Sequence, residues 1–204
     1  MTDLSLIRPS LTIGLHAPKG TGKDTVARGI RDKALPVWQR PFLHLDKFAL
    51  PLYKACSAIT GWSVEQLEDE ATKEVVWDST NAPTQSLVGW SPRKLLEFIG
   101  TAVVRDQLGI NHWVELMKAR LAQRSVGLTI ITDVRFVNEA SCCDAVIELR
   151  REGKDYDDGH VSRQRLPASC ITDVIWLKPR EEIDWQWMAD RIIGMGQWAK
   201  EAKS

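Results

Sequence analysis

LTIGLHAPKGTGKDTVAR, residues 11–28, decides how this chain folds. Leu11 to Leu15 are apolar or β-branched around a single glycine, the pattern of a short buried strand. A loop rich in glycine and lysine follows. From Thr25 the residues suit a helix that runs to Ala34 and is ended by Pro36. Strand, glycine loop and helix in that order make a cradle for a phosphate, because glycines let backbone N–H groups turn inward on an anion. Ala17, Lys19, Gly20, Thr21, Gly22, Lys23, Asp24 and Thr25 are therefore candidate phosphate contacts. Lys23 is placed to reach the β- and γ-phosphates of a triphosphate. The match to G-x-x-x-x-G-K-[ST] is incomplete. Ala17 stands at the first glycine position, Asp24 at the Ser/Thr position, and the hydroxyl arrives one residue late at Thr25.

Mononucleotide kinases such as adenylate kinase also carry their threonine one residue late, so the loop resembles that branch of the P-loop proteins. Composition agrees with an ordinary globular chain. The 204 residues are 44% hydrophobic and 26% charged, enough for one α/β domain with a core and a lid. Lys+Arg and Asp+Glu both total 27, which argues against a general nucleic-acid surface but allows a local basic pocket. No apolar run reaches the ~18 residues of a membrane span, and no signal-peptide pattern opens the chain. Cys56, Cys142, Cys143 and Cys170 show neither metal spacing nor a disulfide framework, so reduced thiols and a cytoplasmic location are expected.

Further along, residues 41–45 read as a second strand, and 46–60 as a helix stopped by Gly61. Ser63 with Gln66 forms a capping-box pattern for a helix expected over 64–77. A turn-rich loop covers 78–90. Ser91-Pro92 opens a helix that ends at Gly109, with Leu96, Ile99 and Val103 on one face. Asn111 caps another helix. Leu128–Thr132 is the clearest strand and reads as buried on both faces. A short helix over 136–142, a strand over 145–149, a last strand over 174–177 and a closing helix over 180–199 complete the chain. Trp185, Trp187 and Trp198 on that helix are expected either to pack on the core or to form a homodimer seam. Strands alternating with helices predict a three-layer α/β fold. Its sheet is mainly parallel, of about five strands, with helices on both faces and ligands at the carboxyl ends of the strands.

Phosphoryl transfer needs a phosphate loop, a Mg²⁺ partner and arginines that grip phosphate oxygens. Asp133 closes the central strand, where a carboxylate can hold Mg²⁺; capping the following helix is the plainer role for it. Asp24 and Thr25 are the other candidate metal contacts. Arg135 lies two residues beyond Asp133. Arg93 sits in a first helical turn, where a cation is mildly unfavourable. Arg150, Arg151, Lys154, Arg163 and Arg165 fall in one charged segment, 150–168, that reads equally as a lid or a solvated loop. His160 reads as a surface or packing histidine, since a phosphate acceptor needs no base.

Taken together, these motifs resemble the bacteriophage-type deoxynucleoside monophosphate kinases. The resemblance rests on GLHAPKGTGKDTVA, on FALPLYKA with Lys54, and on Lys73-Glu74. It rests also on SPRKLLEFIGTAVVRDQLGINHWVE at 91–115, on ITDVRFVNEA at 131–140, and on His160-x-Ser162 with Asp173. Three places depart from the family pattern: Leu50 and Arg163 stand where acids are expected, and Trp176-Leu177-Lys178-Pro179 replaces a turn. The resemblance implies a P-loop kinase over 1–204, with residues 46–90 as an acceptor-binding subdomain. It implies ATP and Mg²⁺ as donor and cofactor, and deoxynucleoside monophosphate as acceptor. No polymeric nucleic acid or membrane partner is expected. Lys23, Arg135, Arg93 and Asp133 would be catalytic. Arg93, Arg105, Arg135, Lys54, Lys73, Arg150 and Arg151 would bind the substrate. A kinase for another phosphorylated acceptor, phosphomevalonate-like, and an ATP-binding switch or assembly protein are the alternatives.

Overall fold

A computed structural model describes residues 3–7, 10–156 and 165–203. Two compact units divide the chain, one formed by residues 1–48 with 116–204 and the other by 49–115.

The larger unit is built on a parallel sheet. Among the described residues its strands are β1 (Leu11–His16), β2 (Leu43–Asp46), β3 (Leu128–Ile131), β4 (Ala145–Arg150) and β5 (Asp173–Trp176). They lie in the order β2-β3-β1-β4-β5, all parallel, with Ile13 opposite both Ile130 and Ala145. This is the five-stranded parallel α/β architecture expected from the alternation of patterns. Every residue of β1 and β3 is buried, as a strand covered on both faces requires. Leu11 and Ile13 point toward α8 (Trp185–Glu201), where a side chain on Gly196 would strike Ile13 and Leu11. Gly14 points the other way, toward Val134 and Cys143. Met188, Ala189, Ile192 and Ile193 of α8 join Leu11, Ile13, Leu15, Ile130 and Ile147 in one core. All four cysteines are free thiols. No helix of the described residues is long and apolar enough to cross a membrane.

α1 (Lys23–Gly29) follows the glycine loop and passes into a wider π-helical turn, Ile30–Ala34. Gly29 is there because of α8. A Cβ at this position would lie 2.0–2.4 Å from the Trp185 ring. Glycine to alanine in a helix ordinarily gains up to ~1 kcal/mol. Here overpacking outweighs that gain, and Gly29→Ala is expected to cost about 1–3 kcal/mol in urea unfolding.

The smaller unit is helical, with its own core of Cys56, Leu67, Trp77, Leu95 and Leu96. α2 (Leu50–Thr60) carries Pro51 in its first turn and is closed by Gly61 at φ +72. α3 (Val64–Glu68) opens with the expected Ser63–Gln66 capping box. It stops nine residues short of the helix expected to reach Trp77. The Asp69 carboxylate accepts the Ala71 N–H and the Thr72 hydroxyl, turning the chain. Trp77 instead lies outside any helix, its N–H on the Trp90 carbonyl and its carbonyl taking the Gly89 N–H. Tertiary pairing of a buried tryptophan thus overrides local helix propensity.

α4 (Pro92–Glu97) has Ser91 as N-cap, its side chain accepting the Lys94 N–H. A π-helical stretch, Phe98–Arg105, carries it into α5 (Asp106–Leu108). That stretch corrects the expected face. Wider turns rotate later residues away from a 3.6-residue stripe, so Val104 is buried and Val103 is 41% exposed. α6 (His112–Ala122) leads toward β3, and α7 (Val137–Ala140) sits between β3 and β4.

Candidate active site

The candidate site lies at the carboxyl ends of β1, β2 and β3. After β1 the chain turns through Gly20 (φ +74) and Gly22 (φ +106), backbone that favours glycine. Gly22 caps α1, and Lys23 is its first residue. The Lys23 ammonium donates to the Ala17 carbonyl at 3.0 Å, closing the loop on itself. Burial is the main reason its pKa falls from 10.5 to about 8. Arg135 and Lys47 push the same way, against Asp133 and Asp24. The Thr21 hydroxyl, within the loop, is buried with no hydrogen-bond partner among the described residues.

Asp24 turns toward the end of β3. Its Oδ1 accepts the Thr132 hydroxyl at 2.6 Å and meets the Lys47 ammonium at 3.4 Å. Asp133 Oδ1 accepts the Phe48 N–H at 2.8 Å. Arg135 is exposed, and its backbone N–H is held by the buried Glu139 carboxylate at 2.8 Å. Lys23, Asp24, Asp133 and Arg135, which the sequence singled out, are therefore together. Thr25 stands in the first turn of α1, half-buried, and Lys19 is exposed on the loop.

The candidates from 150–168 separate. Arg150 turns to Glu148 at 3.2 Å and lies over the Trp176 ring. The Arg151 guanidinium and the Lys154 ammonium instead approach the loop, 3.9 Å and 3.5 Å from where side chains on Gly22 and Gly20 would begin. Arg165 pairs with Glu148 at 2.7 Å. His160, Ser162 and Arg163 lie outside the described residues.

In the unit 49–115, Lys73 is buried and its ammonium lies 2.5 Å from the Tyr53 hydroxyl. Arg93 pairs with Glu74 at 2.5 Å, and its N–H donates to the Lys73 carbonyl. Lys54 is exposed and Arg105 half-buried. Polar side chains that could read a base edge are partly committed: Gln66 closes its capping box, and Asn81 accepts the Asp78 N–H.

Four further residues shape the site. Lys47 follows β2 directly. Glu139 fixes the Asp-x-Arg turn. His16, the last residue of β1, pairs its Nδ1 with the Val134 carbonyl at 2.9 Å and accepts the Leu166 N–H on Nε2 at 3.1 Å. Burial holds its pKa below the usual histidine value, so the neutral ring ties three segments together. Glu148 stands opposite His16 in the register, fully buried, accepting from Arg165, Tyr156 and Arg150. Lys47 was accessible from sequence as a charge at a strand's carboxyl end; Glu148 read only as strand interior, and His16 as the residue that follows the first strand.

A parallel sheet with a glycine loop after its central strand, and an acid and an arginine after the neighbouring one, defines an α/β protein of the P-loop kinase type. Comparison with known proteins takes the assignment further. The model of the family described as deoxynucleotide monophosphate kinase matches residues 43–177. A protein of Acanthamoeba polyphaga mimivirus named as a deoxynucleotide monophosphate kinase is 31% identical over 178 residues, covering 80% of this chain and 86% of its own. The deoxynucleoside-5′-monophosphate kinase of Escherichia phage T5 is 26% identical over 204 residues, covering 78% and 79%. The chain belongs to the deoxynucleotide monophosphate kinase family and is a phosphotransferase. The family match begins after the glycine loop, so the loop's reading stands on its own residues.

Proposed function

We propose that this protein transfers the γ-phosphoryl group of ATP, bound with Mg²⁺, to the 5′-phosphate of a deoxynucleoside monophosphate. The carrying observation is the gathering of Lys23, Asp24, Asp133 and Arg135 beside a glycine loop whose buried Thr21 hydroxyl has no partner among the described residues. These residues fit the proposed ligands. The loop offers inward-turning backbone and a cation to a polyphosphate. Among the described residues no group of three or more His, Cys, Asp or Glu is placed to hold a metal by itself. Mg²⁺ takes one or two carboxylates and completes its shell with phosphate oxygens and water, and Asp24 and Asp133 are the carboxylates proposed for it.

In this reading Lys23 and the backbone of 18–25 hold the donor phosphates, and Asp24, Thr25 and Asp133 face the metal. When bound, Mg²⁺ neutralises charge on the donor's phosphate oxygens. Arg135 spreads the charge that grows on the transferred group, with Arg151 and Lys154 approaching the loop near Gly22 and Gly20. The acceptor is assigned to the unit 49–115, with Arg93, Arg105, Lys54 and Lys73 as its candidate contacts. Support for a deoxynucleotide acceptor comes from the names of the relatives.

The test is ADP formation from ATP and Mg²⁺ across deoxynucleoside and ribonucleoside monophosphates, phosphomevalonate, and no acceptor. Strong stimulation by at least one deoxynucleoside monophosphate is expected. ADP release indifferent to every acceptor would overturn the transferase reading in favour of a nucleotide-driven switch.

A further inference from the structure

The Lys47 ammonium lies 3.4 Å from Asp24, one of the two proposed metal carboxylates, and its backbone is held on both sides. Its N–H donates to Asp46 Oδ1 at 2.7 Å, and its carbonyl takes the Arg120 guanidinium at 2.8 Å. Asp46 is itself buried and bridged by Arg120 at 3.2 Å and Arg124 at 2.7 Å, both on or just beyond α6. The next residue, Phe48, donates its N–H to Asp133. From this fixed stretch the Lys47 side chain reaches Asp24, on the same oxygen that takes the Thr132 hydroxyl.

We infer that Lys47 is an internal counter-cation that keeps bare divalent ions off Asp24, so that the metal enters only together with the nucleotide. This rests on the kinase reading above. Asp24 and Asp133 lie among the charges that act on Lys23, together with Lys47 and Arg135. A hydrated dication arriving alone is repelled by the Lys47 ammonium and must displace it from Asp24 Oδ1. Mg²⁺ gives up water reluctantly, so two carboxylates in such company hold it poorly. A metal–polyphosphate complex brings its own oxygen ligands and negative charge. The ammonium can then leave Asp24 for a phosphate oxygen, keeping a partner throughout. Lys47 is in this sense a positioning residue, acting through Asp24.

The experiment is a Mn²⁺ titration of the full chain followed by electron paramagnetic resonance, without nucleotide. Lys47→Met should tighten binding of Mn²⁺ alone by at least about tenfold, the order by which one adjacent unit charge biases a site. Lys47→Arg should behave as the unaltered protein. Adding Asp24→Asn to Lys47→Met should abolish the gain. Lys47→Gln serves if the methionine variant does not fold. Unchanged Mn²⁺ affinity in the neutral variant, or a gain that survives Asp24→Asn, would overturn the inference. Because the readout is metal binding, it is decided independently of whether deoxynucleotides are phosphorylated.

Discussion

Lys23→Met is expected to lower kcat/KM for phosphoryl transfer by about 10²–10³-fold, the usual loss when one preorganised charge partner of a transition state is removed. The same change should not weaken the fold. Lys23 sits where burial and Arg135 disfavour its charge, which brings its pKa from 10.5 to about 8. A base whose pKa is depressed on folding destabilises the native state. That cost is complete below the folded value and fades as pH rises toward the unfolded one, near 10.4. The variant should therefore be more stable than the parent by roughly 1–2 kcal/mol at pH 7, a gap that closes between pH 8 and 10.5. A less stable, equally active variant would sink both halves of the prediction. Polyphosphate binding favours the charged amine. Calorimetry in two buffers of different ionisation enthalpy should accordingly show proton uptake above pH 8, with affinity falling as pH rises. The residue proposed to hold the donor phosphates is thus kept at a cost to stability.

What could be read from the chain follows from how local each determinant is. The glycine loop was legible because strand, loop and helix are contiguous, so the cradle is written within 18 residues of sequence. Caps were legible for the same reason: Ser63 with Gln66, Ser91 with Pro92, and Gly109 each act over a single turn. Asp133 and Arg135 were reachable because a strand buried on both faces announces where it ends. The helix expected over 64–77 ends at Glu68 because its deciding contact, Trp77 with Trp90, comes from another part of the chain. Val103 was misplaced because nothing in FIGTAVVR marks a wider helical turn. His16 and Glu148 depend on longer connections still, as does the Asp46 pairing behind Lys47. Leu166 reaches His16 across 150 positions, and Arg124 reaches Asp46 across 78. Arg150 and Arg151 look alike as neighbours in sequence. Alternation along the end of β4 sends one to Glu148 and the other toward the loop.

Glu148→Gln is expected to remove about 2–3 kcal/mol of stability at neutral pH. Glu148 is wholly buried, yet burial's tendency to raise its pKa is overcome by hydrogen bonds from Arg165, Tyr156 and Arg150, which hold the carboxyl below its ordinary value. Breaking a fully buried ion pair typically costs 3–5 kcal/mol. The smaller figure applies because the Arg165 and Arg150 side chains keep 46% and 30% exposure and can recover water. The amide retains the volume and one acceptor, so the loss belongs to charge rather than to packing. The pH dependence provides the sharper check. A carboxyl whose pKa is depressed on folding gives stability that is complete above the unfolded value, near 4.3, and is lost as pH falls through the folded one. The parent and the glutamine variant should therefore differ in urea midpoint at pH 7 and converge in acid. His16 is kept neutral by burial, but the Glu148 charge raises its pKa, so its proton uptake on acid unfolding differs between the two proteins until Glu148 itself is protonated. Equal midpoints at pH 7 would mean that the arginines around Glu148 are as well satisfied by water as by the carboxylate. A gap that persists unchanged into acid would assign the loss to packing instead.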